Sequence, residues 1–101
     1  MTEITRLSDL DATPHANVFP GSEPKTVRLS LAAGERVDSH RHPGRSVVLA
    51  VLDGALELDL DDETHALESG DVARFDGDRA ISPRATEPST ALVVLAPTAA
   101  D

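Results

Sequence analysis

From Pro20 onward, turn-forming residues return every six to twelve positions: Pro20-Gly21, Gly34, Pro43-Gly44, Asp53-Gly54, Asp61-Asp62, Ser69-Gly70, Asp76-Gly77, Pro83 and Pro88. The segments between them are too short for packed helices, and their apolar residues repeat with period two. Thr26 to Leu31 sets Val27, Leu29 and Leu31 against Thr26, Arg28 and Ser30; Ala55 to Leu60 sets Leu56, Leu58 and Leu60 against Glu57 and Asp59. Ser46 to Leu52 and Ala91 to Ala96 are continuous apolar runs, the pattern of strands covered on both faces. Short strands with regular punctuation imply an all-β chain folded as a sandwich or small barrel. At 101 residues it has room for one core. That core is expected to draw on Val27, Leu29, Leu31, Leu49, Val51, Leu56, Leu58, Leu67, Val72, Phe75, Leu92 and Val94.

Two turns are legible in detail. Asp53-Gly54 reads as a tight hairpin, with glycine supplying the positive φ such a loop needs. Asp61-Asp62 reads as another, less comfortable because aspartate enters the left-handed region at some cost. Residues 1–24 lack periodicity and contain Pro14 and Pro20, with Pro24 at their end. They read as an N-terminal arm with one short strand at Ile4 to Leu7, followed by a barrel domain over 25–97 and a C-terminal tail over 98–101.

Composition narrows the function. Phe19 and Phe75 are the only aromatic residues, so no platform exists for stacking bases. A net charge of −9 repels phosphate backbones and anionic membranes, which argues against nucleic-acid and membrane partners. Without cysteine there is no disulfide, thiolate metal site or cysteine nucleophile. No apolar run reaches the length of a signal peptide core or membrane helix, so a soluble, cytoplasmic protein is expected. Eight arginines, one lysine and eleven aspartates make a surface suited to a salt-rich, halophilic cytoplasm, where screening removes carboxylate repulsion.

The most informative stretch is Gly34 to Gly54, GERVDSHRHPGRSVVLAVLDG. On a strand, His40 and His42 project from the same face, and two converging imidazoles can begin a site for one divalent transition metal: Fe, Mn, Ni, Cu or Zn. Arg41 points the other way by the same alternation. Arg45 and Ser46, next along the chain, are candidate ligand-binding residues: a guanidinium fork matches a carboxylate or phosphate, and a hydroxyl is a weak oxygen ligand. His15 and His65 read as surface histidines, Arg74 as a solvent-facing residue, and Asp71 as a turn residue accepting backbone N–H bonds. No nucleophile elbow, phosphate loop or distinguishable carboxylate pair is present.

A glycine, five residues, His-x-His and an apolar strand ending in Leu-Asp-Gly resemble the first motif of the cupin superfamily. Gly70-Asp71, the run VARF and the Asp76-Gly77 turn resemble the start of its second motif, and ALELDLDDETHALES fits the hairpin between them. The resemblance covers about residues 26 to 96, and the chain looks most like the short acidic cupins of haloarchaea. It implies a jelly-roll-like β-barrel of two antiparallel sheets. It also implies a four-ligand metal site of which His40 and His42 are two members. The family's glutamate position falls on Ser46 or Val47 and its last histidine position on Ile81, so two ligands are missing.

Three functions follow from this pattern. The first is a cupin that binds a small molecule in the barrel with weak or no metal at the histidine pair. The second is a metal-dependent oxygenase or isomerase acting on a small polar organic substrate. The third is a partner-binding structural domain with a relict pocket. Small cupins commonly dimerise, and a homodimer is expected, with Ile4 to Leu7 lent to the partner's sheet.

Overall fold

The computed structural model describes residues 2–98. After a single 3₁₀ turn at Leu7–Asp9, eight strands follow: β1 (His15–Asn17), β2 (Lys25–Leu31), β3 (Arg45–Asp53), β4 (Ala55–Leu60), β5 (Glu63–Glu68), β6 (Val72–Asp76), β7 (Ile81–Ala85) and β8 (Ser89–Pro97). They form a five-stranded sheet in the order β1-β2-β8-β3-β6 and a three-stranded sheet in the order β5-β4-β7, every pair antiparallel. The two sheets close on each other as an all-β jelly-roll barrel, the architecture expected from the alternating sequence.

Alternation places the core. Val47, Leu49 and Val51 of β3 face Leu56 and Leu58 of β4, all essentially without solvent contact, and Val27, Leu29, Leu31, Leu60, Phe75, Ile81, Ala85, Ala91 and Leu95 complete the cluster. Each such side chain contributes about 1.5–3 kcal/mol by leaving water. Three expected core residues lie elsewhere. In β8 the inward series is buried Ala91, half-buried Val93 and buried Leu95, so Leu92 and Val94 occupy the opposite face. An unbroken apolar run carries no phase, and only the register of Val27 against Val93 fixes it. Val72 is 66 % exposed because Ala73 and Phe75 are the inward residues of β6.

The turns behave differently from each other. Asp61-Asp62 is the two-residue hairpin expected, joining Leu60 to its partner Glu63, with Asp61 at φ 54°. Asp53-Gly54 is not a hairpin: β3 belongs to one sheet and β4 to the other, so this turn carries the chain across the barrel. A bulge between Val51 and Asp53 helps bend it. Gly54 has φ 89°, and a Cβ there would lie 2.4 Å from the Pro88 carbonyl oxygen, so the corner excludes any side chain.

The N-terminal arm folds back on its own barrel. Ile4 to Leu7 is not a strand; the arm's strand is β1, paired with β2 through His15↔Leu29 and Asn17↔Val27. Residues before β1 cross the outer face of β2, where the Arg28 guanidinium donates to the carbonyls of Leu7 and Ala12. Thr26 and Arg28, on the face of β2 opposite Val27 and Leu29, are buried. At the other end, the Thr98 N–H donates to the Gly44 carbonyl. The remainder of the expected 98–101 tail lies outside the described residues.

Candidate functional site

Residues 34–42 follow the free edge of β7 without forming a continuous strand. The Gly34 and Val37 amides donate to the carbonyls of Ala85 and Pro83, and His40 exchanges both backbone hydrogen bonds with Ile81. The chain then docks on the β6–β7 turn, where the His42 N–H donates to the Gly77 carbonyl at 2.7 Å and the Gly77 N–H to the Arg45 carbonyl at 2.8 Å. Gly77 permits this approach because a Cβ there would sit 2.2 Å from the His42 carbonyl oxygen.

These anchors bring the two imidazoles together, with ring centroids 4.7 Å apart and planes at 88°. The His40 Nδ1–H donates to the Asp38 carbonyl at 2.8 Å, which leaves Nε2 as the acceptor nitrogen. Both rings line a cavity of about 260 Å³ at one end of the barrel. Its walls are apolar: Val27, Leu29, Leu49, Ile81, Pro83, Val93 and Leu95. Its polar groups are His40, His42, His15, Asn17 and Lys25, and among the described residues no carboxylate lines it.

His15, Asn17 and Lys25 were not legible as site residues. His15 and Asn17 sit directly opposite Leu29 and Val27 in the β1–β2 register and so share their inner face, while Lys25 opens the inward series of β2. The signal in the sequence is the alternation of small or apolar Ala16 and Val18 with His15 and Asn17, too short to mark a strand. His15 and His42 are held below the ordinary histidine value, first by partial desolvation at the cavity and then by like charge from His40 and Lys25.

The remaining expected residues fall outside the cavity lining. The Arg45 guanidinium is held by the Glu23 carboxylate at 2.7 and 3.0 Å and by the Leu95 carbonyl. Ser46 alternates with inward Val47 and lies on the outer side of β3 beside Ala96 and Asp76. His65 is an exposed residue on β5 near Glu63, and Arg41 donates to the Asp78 carbonyl, away from the histidine pair. Arg74 is exposed, and the Asp71 carboxylate accepts the Glu68 N–H.

The donor set does not fit a resident four-ligand metal centre. Val47 and Ile81, at the positions where the family pattern places further ligands, are buried hydrocarbon. Among the described residues no group of three or more histidine, aspartate or glutamate side chains converges on one point. Two imidazoles alone leave at least half of a tetrahedral or octahedral shell to be supplied from elsewhere.

The Cupin_2 profile, described as a cupin domain, matches residues 27–96. The chain belongs to the Cupin_2 family. No curated protein sequence matches it. Among solved structures, this cupin superposes on TT1209 from Thermus thermophilus with a TM-score of 0.82 and 25% identity, covering 95% of this chain and 98% of that one. KdgF from Halomonas sp. gives 0.78 and 21%, covering 98% and 96%. The Cupin_2 domain of an XRE family transcriptional regulator from Enterobacter cloacae gives 0.76 and 24%, covering 84% and 96%. The cupin has no helix long and apolar enough to cross a membrane among its described residues.

Proposed function

We propose that this cupin binds a small organic molecule in the histidine-lined cavity and does so without a resident metal. The carrying observation is the cavity itself: apolar walls with a few convergent polar groups at one side, the usual constitution of a small-molecule site. Among the described residues no third histidine, aspartate or glutamate side chain converges with His40 and His42 on one point, which supports the metal-independent part of this reading.

One observation favours a second reading, a metal-dependent oxygenase or isomerase. The Asp38 carbonyl fixes the His40 tautomer in the way that outer-shell carbonyls orient metal-ligating imidazoles. The two are separated by purifying the tag-free protein at high salt without chelator. Bound metal is then quantified and co-purified small molecules are sought by native mass spectrometry, beside a His40→Ala/His42→Ala double variant. A ligand mass without stoichiometric metal supports the binding reading. One metal per chain, lost in the variant, supports the enzyme. Neither, with a specific protein partner, supports a structural domain with a relict pocket.

The protein is also proposed to act as a homodimer in a salt-rich cytoplasm. On the face of the five-stranded sheet opposite the cavity, Val72 and Leu52 are exposed beside half-buried Val48, Ala50, Leu92 and Val94. A self-complementary patch of this kind suits a second copy related by a two-fold axis.

A further inference from the structure

Resting on the reading of the cavity as a binding site, we propose that its ligand is a small monocarboxylate with a short apolar body, its carboxylate held at the rim by Lys25 and the imidazole and amide N–H groups. The chain carries 18 acidic residues against 9 lysines and arginines, yet among the described residues no acid lines the cavity. Glu23, near the rim, is occupied by Arg45, and Asp38 lies in the open groove outside. A cation bound here would need a counter-anion, and among the described residues the lining offers none.

Most other cations are engaged away from the cavity, and Arg6 and Arg74 are exposed residues outside its lining. Arg36 pairs with Asp59, Arg79 with Asp61 and Glu63, Arg84 with Glu57, and Arg28 is spent on the arm's carbonyls. Lys25, the chain's only lysine, makes no salt bridge among the described residues, and it stands at the cavity. A lone ammonium with N–H donors from His15, His42 and Asn17 matches one negative charge. A phosphate dianion would call for the bidentate guanidinium forks that the lining lacks.

The walls define the rest of the ligand. The polar groups come from β1, the first residue of β2 and residues 40–42, whereas Leu29, Leu49, Val93 and Leu95 offer only hydrocarbon. A volume of about 260 Å³ is that of roughly nine water molecules in the liquid, which accommodates an acid of about eight to ten non-hydrogen atoms.

The test is an NMR titration of the full chain at neutral pH, following the methyl groups of Val27, Leu29 and Leu49, with hexanoate, hexanamide and hexylamine as probes. Hexanoate is expected to bind about tenfold more tightly than hexanamide, and hexylamine not at all. Lys25→Gln should remove that advantage and leave hexanamide unaffected, whereas Arg74→Gln, which removes one positive charge from the outer face, should leave it intact. Equal binding of hexanamide and hexanoate, or equal effects of the two variants, overturns the carboxylate assignment while leaving the cavity a binding site. No shift with any probe also overturns it, and the binding reading is then decided separately by the co-purified mass.

Discussion

Gly77 is the position at which a single methyl group should disconnect the site from the barrel. It carries no positive φ, so alanine there is not opposed by backbone conformation; the obstacle is steric. A Cβ would lie 2.2 Å from the His42 carbonyl oxygen and 2.7 Å from that of Arg45, both backbone atoms that no side-chain rotation can move. Restoring ordinary contact requires a displacement of about 1 Å, which breaks the hydrogen bonds exchanged between Gly77 and the His42–Arg45 loop. Two such bonds are worth about 1 kcal/mol each, and overpacking adds roughly 1–2 kcal/mol, so Gly77→Ala should cost about 3–4 kcal/mol. For a domain of this size that lowers Tm by about 15–20 °C in differential scanning calorimetry. Gly44→Ala is the control: Gly44 has φ 76° but open space around its Cβ, so only the left-handed conformation of about 1 kcal/mol opposes it. Hexanoate binding should fall in the Gly77 variant, measured well below its melting transition, and persist in the Gly44 variant. Equal Tm shifts in the two, or unchanged binding in Gly77→Ala, would refute the argument that this close approach holds His42 in place.

Three further outcomes are expected. Asp61 is held below the ordinary aspartate value by the Ala80 N–H and by Arg79, Glu63 below its own by Arg79, and Asp59 by Arg36 and Thr64. Depressed carboxylates bind fewer protons folded than unfolded, so their contribution is present above about pH 4 and disappears as pH falls through their folded values. Urea midpoints should therefore drop below about pH 4, and less steeply in Arg79→Gln; parallel profiles would contradict this. Light scattering in molar salt should give a dimer, and Val72→Asp should shift it toward monomer; a monomeric parent protein refutes the dimer. With a net charge of −9, Tm should rise as potassium chloride is added, and a flat or falling Tm would count against adaptation to salt.

The fold was legible because turns and period-two alternation are local signals. β4, with Leu56, Leu58 and Leu60 on one face, was readable without its partners. β8 was not, since Leu92-Val93-Val94 is equally apolar on either face and only cross-strand register sets its phase. Asp53-Gly54 shows the same limit: the residues specify a turn, but whether it closes a hairpin or crosses between sheets depends on which strands β3 and β4 pair with. In the site, His40 and His42 declare themselves by spacing alone, and they converge even though their segment is not a regular strand. His15 and Lys25 reach the same cavity from 25 and 15 residues before His40, brought there by β1–β2 pairing that a three-residue strand does not announce. Arg45 looked available for a ligand because its partner, Glu23, is also remote in sequence.

In the proposed function the cavity binds its ligand through the protein's own groups. The most direct measurement is the affinity for hexanoate before and after exhaustive chelation, with metal content assayed on the same samples. Saturable binding of one hexanoate per chain, unchanged by chelation and accompanied by shifts of His15, His42 and Leu49 resonances, is the predicted result. Binding that disappears with chelation and returns with one equivalent of iron, manganese, nickel, copper or zinc would contradict it and place a metal at the histidine pair.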